Sequence, residues 1–336
     1  VQPWQVCLAL FIRATCGAFH WPAMQASTTL MVPEEHLARV AGLNQALQGL
    51  GAIAAPPLGA LLLTVLPVQG VLLIDVVTAL LAIAPLLVVA IPQPKRIENV
   101  GEGFRPALMA DLHEALRFVR AWPGIMVIIG IAALINLLIF PALSLQPLLV
   151  TEYFKGTALH LAWLQSAFGV GMVTGGVTLS LWGGFKRRAL TGLLALALSG
   201  IGFALVGLAP ASAFPLALGA MFAAWFMNSI ANGSLISVLQ VVVPADMQGR
   251  VFTLLQSAAG AMIPLGLLVA VPLAEQLSIQ IWFLIAGICI TVTGIGALFV
   301  PAIMDMDNRL HVQDSGSASA DDDLLVSAQA GLRPSS

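Results

Sequence analysis

Val32-Pro33-Glu34-Glu35-His36-Leu37-Ala38-Arg39-Val40 returns 211 residues later as Val243-Pro244-Ala245-Asp246-Met247-Gln248-Gly249-Arg250-Val251. The register holds beyond the motif, with Leu43, Gln45 and Gly49 falling opposite Leu254, Gln256 and Gly260. Both copies sit in short polar loops between long apolar stretches. Self-similarity at a fixed period marks a chain assembled from repeated units, and in so apolar a chain it points to two similar halves sharing one membrane-spanning bundle.

The 336 residues are 59% hydrophobic and 9% charged, and the mean hydropathy is +0.96. Soluble domains carry about 25% charged residues, so the composition describes an integral, all-α membrane protein. The net charge of −2 is confined to loops and gives no reason to expect nucleic acid as a partner. Cys7, Cys16 and Cys289 all lie in apolar spans. On one helix Cys7 and Cys16 are separated by roughly 13 Å of rise, too far for a disulfide. No basic leader with a small-residue cleavage site opens the sequence.

A bilayer core requires about 20 apolar residues per helix. Nine segments qualify: 4–31, 38–65, 71–91, 124–149, 161–182, 189–208, 215–243, 251–274 and 281–303. Lys and Arg collect on the cytoplasmic side of membrane proteins. Here Arg39, Lys95, Arg96, Arg105, Arg117, Arg120, Lys186, Arg187, Arg188, Arg250, Arg309 and Arg333, twelve of the fourteen basic residues, fall on one side of this alternation. The opposite loops hold only Lys155, and Arg13 is inside a span. The C-terminus is therefore expected in the cytoplasm.

The repeat then measures what the two halves contain. One span precedes the first copy and four of the second half precede the other, so the expected parent has six helices plus six, with the first three absent from this sequence. On this reading 1–91 is the remainder of the first half and 92–123 is a cytoplasmic linker, while 124–303 is the second half and 304–336 a polar, disordered tail. Within the linker, Pro106 suits a first helical turn. Leu108, Met109, Leu112, Leu116 and Val119 recur at helical spacing, which predicts a short amphipathic surface helix.

Specific strings narrow the class. Leu10-Phe11-Ile12-Arg13, Gly17-Ala18-Phe19-His20-Trp21-Pro22-Ala23 and Val32-Pro33-Glu34-Glu35 resemble the fourth-helix region of macrolide-efflux-type exporters of the major facilitator superfamily. Ile74-Asp75-Val76, Gly183-Gly184-Phe185, Gly249-Arg250-Val251-Phe252 and Trp282-Phe283-Leu284 fit the same branch in the same order. The resemblance covers about residues 4–303 and implies a major-facilitator-type helical bundle in the bacterial cytoplasmic membrane. It also implies proton-coupled export of macrolide-like or other amphipathic compounds by alternating access, with no cofactor. Siderophore or lipid exporters share the plan, and an inactive truncated remnant is the reading from another class. The family's antiporter pattern is met by Gly51, Pro56 and Gly59, with Ala55 and Ala60 in place of glycines.

Arg13 is the sharpest single residue. A charge near the bilayer midplane costs at least ~2.5–3.5 kcal/mol, so it should face the bundle interior and find a partner. It serves either proton coupling or substrate binding, or else a structural ion pair. Asp75 pairs with Arg13, sits at headgroup level, or carries protons directly. His20, on a nearby face of the same helix, is a proton relay or a hydrogen-bonded structural residue.

Uncharged polar residues inside spans must find partners or face a cavity. Asn136, Asn228 and Asn232 are the leading cavity residues, with Gln48 and Gln256; Asn228 and Asn232 stand one turn apart on one face. Gly171 and Gly175 read as close helix packing. Glu35 with Arg39, and Asp246 with Arg250, form four-residue acid-to-base pairs at matched helix entries. They are candidates for cytoplasmic gate contacts or for plain capping. The five histidines make no metal-ligand spacing, and no phosphate-binding loop or nucleophile elbow is present. The expectation is a non-enzyme, a monomer in the lipid bilayer, whose partners are a small amphipathic substrate and protons.

Overall fold

A computed structural model describes residues 17, 20–88, 104–276 and 278–303. The described chain is helical from end to end. Helix α1 covers residues 20–31, followed by a single 3-10 turn over Glu34–His36, α2 (Leu37–Val65) and α3 (Val68–Val88). Then come α4 (Phe104–Ala121), α5 (Pro123–Ser144) and the short α6 (Gln146–Leu148), which passes into a π-helical turn at Leu149–Tyr153. The remaining helices are α7 (Ala158–Trp182), α8 (Arg188–Leu208), α9 (Phe214–Val242), α10 (Ala245–Gln276) and α11 (Ile279–Leu298).

Among the described residues six helices, α5 and α7 to α11, are long and apolar enough to cross a membrane. Of the other expected spans, 4–31 and 71–91 run partly over residues outside that description, and 38–65 corresponds to helix α2. Local chemistry sets several boundaries. Pro123 opens α5 at its first position, where a missing N–H costs nothing. Thr157 caps α7 reciprocally with His160. That helix ends at Gly183, which with Gly184 has positive φ (79° and 86°), a turn that side-chain-bearing residues resist.

Packing follows from the small residues. Lipid tails are as apolar as Leu, so helices associate where their backbones can come close. Helix α2 meets α7 along such a seam: a Cβ added to Gly42 would lie 2.7 Å from the Gly176 carbonyl oxygen, and one added to Gly49 2.8 Å from the Met172 Cβ. Gly171 and Gly175 bring α7 equally close to α9 at Phe222 and Phe226. Helix α8 is gripped on two sides, by Gly192 and Gly202 against α9 and by Gly200 and Gly207 against α11. Helix α10, which contains Pro264 and Pro272, lies on α5, where Gly266 meets Leu137 and Pro141. The Trp282 indole of α11 donates to the Leu138 carbonyl at 3.0 Å, fixing α11 to α5. Helix α4 touches α5 and α10 with Ala115 and Val119 buried, and Phe118 stacks on Trp122.

Gly176→Leu should prevent α2 from docking on α7, because overpacking costs ~1–3 kcal/mol even when neighbours can shift and here the neighbours are backbone. Gly130→Ala, on an open face of α5, should leave the protein as stable or slightly more so. Thermal unfolding of the two variants in detergent distinguishes them.

Candidate functional site

A half-open cavity of about 460 Å³ lies between the helices. Its walls are Trp21 of α1, Gln45 and Gln48 of α2, the Ile128–Phe140 face of α5, Leu196 of α8, the Asn228–Leu239 face of α9 and the Leu255–Ile263 face of α10. Gln48, Asn136, Asn228, Asn232 and Gln256 all lie on it, as does Gln45. Six carboxamides thus stand in an otherwise apolar wall, and no charged side chain is among the described residues that line it.

The amides are not consumed by one another. Only Asn136 is held, its Nδ2 donating to the Ala132 carbonyl one turn back at 2.8 Å. Among the described residues Gln45, Gln48, Asn228, Asn232 and Gln256 make no hydrogen bond to protein. Gln45 is the one that reasoning from polar spacing passed over. The signal was available in the repeat register, where Gln45 is the equivalent of Gln256.

A second polar cluster closes one end. Gln25, Gln240 and Gln248 are each at most 4% exposed. Gln240 Nε2 donates to Gln25 Oε1 at 2.8 Å, and Thr29 Oγ1 donates to Gln248 Oε1 at 2.6 Å. Gln248 Nε2 in turn donates to the carbonyls of Gln240 (2.8 Å) and Val243 (3.0 Å). The network ties α1 to the α9–α10 turn, joining the two copies of the repeat at the end that carries their loops. Between it and the cavity, Trp21 packs edge-on against Phe252 with ring centres 5.8 Å apart. At the same end an Arg188 guanidinium nitrogen donates to the Glu34 carbonyl at 2.7 Å.

The remaining expected site residues are dispersed. Arg13 lies outside the described residues. His20 and Asp75 are exposed, and neither lines the cavity. Gly51 faces open space, with nothing within 4 Å of an added Cβ, while the side-chain surroundings of Pro56 and Gly59 lie outside the description. The close-contact glycines of α2 are instead Gly42 and Gly49.

The acid–base partners differ from the four-residue pairs expected. Arg250 donates to Glu114 of α4 at 2.7 Å. Glu35 meets His36 at 3.3 Å, and Arg39 lies over Gly183. The reason is reach: α4 packs on α10 and brings a carboxylate to the Arg250 guanidinium, and a side-chain-free turn leaves room for Arg39.

Comparison with known proteins bears on this architecture. The family model described as Major Facilitator Superfamily matches residues 1–267. The chain belongs to the major facilitator superfamily. It is a multi-pass membrane protein of a transporter family. Macrolide efflux protein A of Streptococcus pyogenes is 30% identical over 292 residues, covering 86% of this chain and 71% of that protein. Macrolide efflux protein A of Enterococcus faecalis is 31% identical over 264 residues, 79% and 81% of the two chains. Multidrug efflux pump Tap of Mycolicibacterium fortuitum is 26% identical over 310 residues, covering 89% and 73%.

Gln248→Leu should lower stability by about 1–3 kcal/mol, since it leaves the Gln240 and Val243 carbonyls without their donor in a buried site, while the Thr29 hydroxyl keeps its bond to the Ala26 carbonyl. Glu114→Gln should cost under ~1 kcal/mol, as a half-exposed ion pair does. Paired thermal melts of the two variants check the contrast.

Proposed function

We propose that this protein exports amphipathic drugs, macrolide-like compounds foremost, by alternating access of the central cavity. The observation that carries the reading is the cavity itself: apolar side chains interrupted by six carboxamides, which together suit a drug-sized amphipathic ligand held by directed polar contacts. The names of the relatives point the same way. A siderophore exporter would want a basic cavity, and the described lining holds Trp21 and Phe140 but no basic residue.

On this reading Asn136, Asn228, Asn232, Gln48 and Gln256 contact substrate. Arg13 couples proton entry to the switch, with Asp75 and His20 as the other groups able to take part. The loops around Glu35, Arg39, Asp246 and Arg250 face the cytoplasm, as does the C-terminus, following the distribution of Lys and Arg. The glutamine network then closes the cytoplasmic end, and the Gln25–Gln240 and Thr29–Gln248 bonds must break for that end to open. The two-half plan, with 92–123 as linker and nine of twelve helices in this sequence, belongs to the same proposal and rests on the internal repeat. So do proton antiport, a monomeric state and residence in a bacterial cytoplasmic membrane.

Cells producing the protein should accumulate less radiolabelled erythromycin than cells without it, and a protonophore should abolish the difference. Asn228→Leu with Asn232→Leu should reduce export at unchanged protein level, and Arg13→Ala should eliminate it. Equal accumulation with and without the protein would overturn the reading.

A further inference from the structure

Gln45 is 5% exposed, lines the cavity and has no hydrogen-bond partner among the described residues. The residue is largely covered, but its carboxamide opens onto the cavity, where water or a ligand can bond it. Its repeat equivalent, Gln256, stands on a different wall, on α10, and is equally unengaged. The two glutamines therefore come from matching positions of the two repeat copies and converge on one space. Asn228 and Asn232 extend the same chemistry along α9.

A carboxamide offers one acceptor oxygen and two donor hydrogens side by side. It matches hydroxyl, ether, ester and lactone oxygens, and it has no net charge with which to select an ion. Resting on the export reading above, we infer that Gln45 and Gln256 are the paired specificity contacts of this cavity. The ligand they select is an oxygen-rich amphipath, held through uncharged hydroxyl and carbonyl groups that bridge α2 and α10. Selectivity then follows the pattern of hydrogen-bonding oxygens and not ligand charge, and Gln45, unlike a cavity-wall filler, contributes to affinity.

The test is direct binding to purified protein, by equilibrium dialysis, with two probes. Erythronolide B is a neutral polyhydroxylated lactone; tetraphenylphosphonium is an apolar cation without hydrogen-bonding groups. Gln45→Met and Gln256→Met should each weaken erythronolide B binding about tenfold, equivalent to about 1.4 kcal/mol, and leave tetraphenylphosphonium binding unchanged. Wild-type lactone affinity in both variants, or an equal loss for the cation, overturns the inference while leaving the export reading intact. Failure of the unsubstituted protein to bind either probe counts against the export reading itself. Should Gln45→Met not fold, Gln45→Asn keeps the amide but retracts it by one methylene, and it should show the same selective loss.

Discussion

Close backbone approach is the constraint on which the rest of this bundle depends. In water, helices are driven together by hiding apolar surface; in lipid that gain largely disappears, and what remains is dispersion at short range and a few directed bonds. The glycines respond to that requirement. Gly42 and Gly49 against Gly176 and Met172, and Gly200 against Gly287 and Thr291, sit where a methyl group would collide with backbone. Because α2 is held to α7 and α7 to α9 in this way, the faces of α2 and α9 that bear Gln45 and Asn232 are fixed across one space. The cavity is a consequence of where the helices touch.

The second constraint is that polar groups in lipid must be satisfied. This sequence carries many amides for a membrane chain, and the fold sorts them into two populations. Gln25, Gln240 and Gln248 are joined through Thr29 and two carbonyls into a plug of hydrogen bonds, two of them across sequence separations of over 200 residues, with Gln240 Oε1 left as its one buried atom without a partner among the described residues. Gln45, Gln48, Asn228, Asn232 and Gln256 line the cavity and make no hydrogen bond to protein among the described residues. An amide with partners stabilises an arrangement; one without partners in the membrane interior is tolerated where water or a ligand reaches it. The same residue type therefore does opposite work a few turns apart, and the Trp21–Phe252 contact separates the two zones.

Much of this was legible one helix at a time. Hydropathy marks α5 and α7 to α11, and the polar positions within those runs include four of the six amides that line the cavity, Asn136, Asn228, Asn232 and Gln256. The repeat register adds Gln45. What sequence reasoning could not reach is pairing across the fold. Arg250 has an acid four residues before it, which local spacing favours, yet it donates to Glu114, brought over by α4 from 136 residues away. Gln25 and Gln240 both read as buried amides, but nothing in their spacing says that they meet. In the same way the antiporter-like Gly51 looks like a packing glycine by pattern, and only the disposition of α7 shows that Gly42 and Gly49 take that role.

These features together explain why an opening motion need not disturb the core of the bundle. The α8–α9, α8–α11 and α7–α9 seams are backbone-to-backbone contacts without slack, so those four helices move as one body if they move at all. The bonds joining α1 to the α9–α10 turn are of another kind: amide to amide and hydroxyl to amide, each replaceable by water once exposed. A change that separates α1 from α9 and α10 exchanges such bonds for hydration at small net cost, whereas separating α8 from α11 forfeits packing that nothing replaces. The weaker set lies directly beneath the cavity, so the least expensive path for parting the two repeat copies is also one that uncovers the amides.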